Sequence, residues 1–154
     1  MAGTPATAAL AAAGIPFTEH HYVHDPANRD FGMEAATALG LDPDQVFKTL
    51  LADVDGRLVV GIVPVTGKLD LKAIAAAVGG KKAVMADPAL AERRTGYVVG
   101  GISPIGQKTR HETVLDETAE LWDVVYVSGG RRGFDLGLAP ADLAMHVVLP
   151  ELDG

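Results

Sequence analysis

"VFKTLLADV" (46–54) and "RLVVGIVPV" (57–65) stand on either side of Asp55-Gly56, and the reading of this stretch decides the fold. Two apolar, β-branched runs about a pair that tolerates positive φ signal a hairpin with a type I′ turn. With Asp55 and Gly56 in the turn, Val54 faces Arg57. Counting back along both strands sets Lys48 opposite Val63 and diagonal to Gly61. Val46 and Leu50 flank Lys48 on its own face, and Phe47 and Leu51 cover the other. A cation in such company either snorkels its head to water or meets a partner, because burying an unpaired ammonium costs several kcal/mol. A carboxylate or a phosphate ligand would serve. Asp135, set between Phe134 and Leu136, is a comparable charge in apolar company and a candidate partner. Gly61 reads either as a bulge or as the wall of a pocket, where a ligand or another backbone comes close.

Outward from this hairpin the chain repeats one helix grammar. "TPATAALAAAG" carries Thr4 as N-cap, Pro5 at the first helical position and Gly14 as stop, and "DPALAERRTG" repeats it with Asp87, Pro88 and Gly96. "GMEAATALG" and "LDLKAIAAAVGG" read as further short helices. "LDPDQ" offers Asp42 and Gln45 at capping-box spacing. "PFTEHHYV" is extended and "KKAVMA" a short strand. "YVVGGISPIGQ" joins a brief apolar strand to a glycine-rich loop. "WDVVYVS" and "RRGFDLGL" form a last hairpin about Gly129-Gly130, and "APADLAMHV" closes the chain as a helix. Hairpins and helices without a regular strand-helix-strand rhythm predict an α+β fold: one domain over 1–154, a mixed or antiparallel, curled β-sheet surrounded by short helices.

The chain has 154 residues, 48% of them apolar, which suffices for one substantial core. It contains no cysteine, which removes disulfides, thiolate metal sites and a protein thiol nucleophile from consideration. The apolar amino terminus lacks a basic leader and a cleavage pattern, and no run is long enough to span a bilayer, so a cytoplasmic protein without membrane contact is expected. A net charge of −7 argues against a broad nucleic-acid grip. Basic pairs at Lys81/Lys82, Arg93/Arg94, Lys108/Arg110 and Arg131/Arg132 read as solvated charge or as local patches for an RNA end.

Three other candidate sites are weaker. "HHYVHD" (His20, His21, His24, Asp25) suggests a metal, yet in an extended chain His20 and His24 lie about 13 Å apart, so strand histidines are expected there and no metal. Ser103 and Ser128 do not sit in a nucleophile-elbow motif. "VVGGISPIGQ" lacks the ending of a phosphate loop. It is either a tight turn or a small nest in which the amides of Gly100, Gly101 and Ile102 face a carbonyl or anionic oxygen.

"HDPANRDFG", "VFKTLL", "VTGKLDLKAIAAAVGGKKAVMADP", "RRTGYVVGGISPIGQK" and "YVSGGRRGFDLGLAPADL" together resemble the YbaK/EbsC family, in order and over nearly the whole chain. The resemblance implies trans-editing: cleavage of the ester in misacylated Cys-tRNA(Pro), and by extension Cys-tRNA(Cys), by hydrolysis or by release of a cyclic thioester. Alternatives are an Ala-tRNA(Pro) deacylase, or a non-catalytic module that binds a tRNA end or a synthetase. By the same likeness Lys48 matches the strand lysine on which the family's activity depends. Gly100 and Gly101 would supply amides, and Tyr22, Phe31, Thr49 and Ile102 would contact substrate. Ser128, Gly130 and Asp135 would close the far wall. The implied chemistry uses the substrate's own thiol as nucleophile and needs no cofactor. The implied partners are the tRNA acceptor end and prolyl-tRNA synthetase.

Overall fold

The computed structural model describes residues 3–146. Helix α1 (Pro5–Ala13) starts at Thr4, whose hydroxyl accepts from the Thr7 amide, and ends at Gly14 with φ 69°. Strand β1 (Thr18–His21) follows, then α2 (Phe31–Leu39) and a 3-10 turn at Pro43–Gln45. Gln45 does not complete a capping box: its amide reaches 2.8 Å across to the Val124 carbonyl and ties this turn to the far half of the molecule.

Strands β2 (Phe47–Val54) and β3 (Arg57–Pro64) form the expected hairpin, with Val54 paired to Arg57 and Lys48 to Val63. Asp55 (φ 50°) and Gly56 (φ 92°) both take the positive φ that a type I′ turn requires. Then come α3 (Leu71–Ala77), β4 (Ala83–Met85), α4 (Pro88–Thr95), β5 (Thr113–Leu115) and a 3-10 turn at Glu117–Leu121. Strands β6 (Val125–Arg131) and β7 (Phe134–Leu138) and helix α5 (Pro140–His146) complete the described chain. Val147, read as the end of that helix, lies outside the described residues.

Two sheets result, with strand orders β4-β2-β3-β5 and β1-β7-β6. The β3/β5 pair is parallel and the rest are antiparallel, so the sheet system is mixed, one of the two forms the sequence predicts. The halves meet where Val46 bridges Tyr126 in parallel, just ahead of β2. The hairpin is apolar on both faces because both faces are covered. Phe47, Leu51, Val60 and Ile62 join the core built with Leu10, Val127, Phe134 and Leu136. On the opposite face Ala52, Val54 and Val59 pack against Ile74 and Ala75 of α3. Buried on two sides, the strands are apolar at most positions, with Lys48, Thr49 and Asp53 the polar residues inside β2.

Three local expectations are corrected. The last hairpin turns at Arg132-Gly133, because Arg131 pairs with Phe134, and Gly129 and Gly130 form a bulge between the Ser128–Asp135 and Arg131–Phe134 pairs. Packing dictates the shift: a Cβ on Gly129 would lie 2.4 Å from the Phe134 ring, and one on Gly130 would meet Tyr97 at 2.9 Å and Thr4 at 3.0 Å. Residues 97–99 form no strand, since the Tyr97 hydroxyl donates to the Ile105 carbonyl and the Val99 amide to the Glu92 carboxylate instead of to a ladder. Gly61 is neither a bulge nor a pocket wall: its missing side chain admits Leu69 Cδ1 and Ile74 Cδ1, which a Cβ would meet at 2.7 and 3.2 Å.

Candidate active site

A cavity of about 350 Å³ opens at the seam between the sheets. Its floor is the first half of β2. Strand β4 pairs only with Ala52–Val54, and the Ala86 amide adds one bond to the Leu51 carbonyl at 3.0 Å. Upstream of that point the edge of β2 has no β4 partner. Main-chain groups two residues apart point to the same edge, so the N–H and C=O of Thr49 face the same way as the Leu51 carbonyl, into the opening. Thr49 Oγ1 is also buried and has no hydrogen-bond partner among the described residues.

Lys48 lines this cavity, half-buried at the end of the face that α3 covers further along. Asp135 lines it from β7, 6% exposed. Burial pushes the Asp135 carboxyl up to about 7. The expected Lys48–Asp135 ion pair is not formed: the ion pairs among the described residues are His24–Glu34 and Arg57–Glu112. A cation at close range would hold the carboxyl low, and the observed shift is upward. Tyr22 stands near Asp135, and burial first, then that carboxylate, raise its hydroxyl to about 12, so it stays a neutral donor at physiological pH.

Ser128 pairs with Asp135 across β6 and β7, and its Oγ accepts from the Gly130 amide at 3.2 Å. Ser103 is fully buried and its Oγ accepts from the Ile105 amide. Neither serine is engaged with a general base among the described residues. Gly100 (φ 88°) lies against Phe31, whose ring a Cβ would meet at 2.6 Å, and both residues line the cavity with Ile102.

Two sequence-predicted residues lie elsewhere. The Gly101 amide donates to the Val98 carbonyl at 2.8 Å, and a Cβ there would strike the Arg131 backbone at 2.7 Å, so Gly101 closes a tight turn and offers no amide to the cavity. Gly130 packs on Thr4 and Tyr97, behind the wall formed by Ser128. The nest reading survives only for Gly100 and Ile102, whose amides make no main-chain hydrogen bond among the described residues. The histidine stretch is occupied otherwise. His24 Nδ1 lies 2.6 Å from Glu34 Oε1, His20 Nε2 bonds Thr18 Oγ1, and His21 stacks on Phe134.

Several wall residues escaped the sequence reading, among them Met85 at the end of β4 and Ala86 just after it, Pro88 and Ala91 on α4, and Arg29 before α2. The first four carry no chemistry that a motif would flag; only the length of β4 brings them here.

Residues 27–145 match the model of the aminoacyl-tRNA editing domain. An Enterococcus faecalis protein named "Putative Cys-tRNA(Pro)/Cys-tRNA(Cys) deacylase EbsC" is 36% identical over 128 residues, 82% of this chain and 77% of that one. A proline–tRNA ligase of Moorella thermoacetica is 32% identical over 73 residues, 47% of this chain but 13% of the ligase. A solved structure described as "a putative trans-editing enzyme for prolyl tRNA synthetase" superposes with TM-score 0.78 at 26% identity, covering 97% of this chain and 95% of the other. A hypothetical protein at 23% identity shares the fold, with TM-score 0.81 over 95% and 97% of the two chains. The chain belongs to the aminoacyl-tRNA editing domain family.

Proposed function

We propose that this chain is an editing domain that deacylates misacylated Cys-tRNA(Pro), extending to Cys-tRNA(Cys), in the translation machinery of the cytoplasm. Membership in the editing family, together with the name of the Enterococcus relative, supports the reaction class and the substrate. The observation that carries the site is a lysine without an ion pair among the described residues, set in a cavity beside an open strand edge.

The substrate's own thiol is the nucleophile in this reading. Its sulfur bonds to the ester carbonyl carbon, the carbon–oxygen bond to the ribose breaks, and the thiol proton passes to the departing ribose oxygen. A cyclic thioester and free tRNA leave. The absence of cysteine from the sequence and the lack of a base at Ser128 and Ser103 support a reaction in which the protein orients and stabilises. Good orientation alone lowers such a barrier by roughly 7–11 kcal/mol. Lys48 and the Gly100 and Ile102 amides are the groups available to developing oxyanion charge. Tyr22 and Asp135 would hold the aminoacyl end from the other wall. The chain would take tRNA identity from prolyl-tRNA synthetase, and the likeness to part of a proline–tRNA ligase supports that association.

The test is a side-by-side deacylation assay with Cys-, Ala- and Ser-tRNA(Pro). Turnover of the cysteinyl ester with release of the cyclic thioester is expected. Preferential turnover of the alanyl ester, which has no thiol, would reject both the substrate and the mechanism.

A further inference from the structure

Two guanidinium groups converge on one ring at the mouth of the cavity. Arg29 Cζ lies 5.2 Å and Arg132 Cζ 4.9 Å from the centroid of Phe31, a ring that lines the cavity. Arg132 comes from the turn between β6 and β7, and its Nε donates to the Val99 carbonyl at 2.9 Å, which fixes one edge of the guanidinium. Arg29 is exposed and comes from the loop before α2. Neither has an ion pair among the described residues, although Asp30 lies at the same mouth. A cation over an aromatic face is stabilised by about 0.5–1 kcal/mol when exposed, which accounts for one arginine on Phe31. A second like charge on the same ring adds repulsion. In a chain of net charge −7 this rim concentrates positive charge, and an anion held by both guanidiniums would relieve the repulsion.

We propose that Arg29 and Arg132 form a phosphodiester clamp at the cavity mouth. This rests on the deacylase reading for its occupant: with the aminoacyl ester on β2, the nearest anion of a tRNA end is the phosphate 5′ of the terminal nucleoside. Guanidinium groups match phosphate oxygens in pairs, with two N–H donors per fork, and contact with the Phe31 ring holds both guanidiniums at the rim. The clamp places the terminal nucleoside beside Phe31 and sets the depth to which the ester enters.

Binding of adenosine and of adenosine 5′-monophosphate to the full chain tests this by calorimetry. The wild type should bind the monophosphate at least about tenfold more tightly, the scale of one charge-assisted hydrogen bond, and R29Q/R132Q should lose that ratio. R29Q alone, at an exposed position, should lose part of it and guards against a folding defect in the double variant. Equal binding of the two ligands by the wild type would overturn the clamp, as would inorganic phosphate competing as strongly as the monophosphate. In kinetics, the kcat/KM ratio of cysteinyl-tRNA to the phosphate-free 3′-O-cysteinyl adenosine should fall about tenfold, through KM, in either single variant. A ratio that stays constant while both rates fall would assign the arginines to the packing of Phe31 instead. If the wild type cleaves neither ester but keeps its preference for the monophosphate, the clamp stands and the deacylase reading fails.

Discussion

Lys48 and Asp135 line one cavity from two different sheets and make no ion pair with each other. Neither side chain is neutralised by the other in the folded chain. Removing the lysine should then cost chemistry and not folding. Lys48→Ala should lower the single-turnover deacylation rate by about 100-fold or more, the scale of one lost charge-stabilising donor. Its melting temperature should stay within about 4 °C of the wild type, as befits a half-buried side chain with no partner to strand. Wild-type turnover in this variant would remove Lys48 from the site.

The Asp135 carboxyl titrates near pH 7 in the folded chain, against 3.8 for its ordinary value. The folded state therefore holds a proton that the unfolded state has lost across this window. Its stabilising effect is complete below about pH 4 and vanishes as pH rises through about 7, a change on the order of 4 kcal/mol. Asp135→Asn should abolish that decline. Urea unfolding of both proteins at pH 5 and pH 8 measures the difference, and an identical pH dependence in the two would contradict the burial of the carboxyl.

Gly100 has two reasons to be glycine, a φ of 88° and a ring 2.6 Å from where a Cβ would stand. Gly100→Ala should destabilise by about 1–2 kcal/mol from the backbone conformation alone. It should also displace Phe31 and raise KM for the tRNA substrate. Denaturant titration gives the first quantity and initial-rate kinetics the second; an unchanged KM would mean that the ring yields without consequence.

Away from the site, Gly61→Val should destabilise by about 1–3 kcal/mol through overpacking against Leu69 and Ile74. Leu69→Ala added to it should recover part of the loss, a coupling expected only for residues in contact. Strict additivity in this double-mutant cycle would show that the two do not share the space.

The first hairpin and its lysine were legible because the information is local: an Asp-Gly turn sets the register, and the register places Lys48 opposite Val63. The same local grammar found α1 from Thr4 and Gly14. It misplaced the second turn, since Gly129-Gly130 and Gly133 are equivalent as turn formers and the choice is made by Thr4, whose hydroxyl donates to the Gly129 carbonyl from 125 residues away. Strand β5 was not read at all, being three residues long and parallel to β3. Family likeness supplied Tyr22, Phe31 and Ser128, whereas Gly101 and Gly130 failed as cavity residues because proximity in sequence to a wall does not say which side of it a residue faces.

A bare strand edge on a protein surface invites neighbours to add to the sheet, and association follows. The stub of β4 leaves such an edge at Thr49, but sunk between α2, α4 and β6, where a second protein backbone cannot draw alongside. The hollow thus acts as a sieve on the sheet's own stickiness, admitting slim guests and refusing strands. A guest that pairs with the main chain of Thr49 would be indifferent to that side chain, so a change of guest would have to come from the opposite bank.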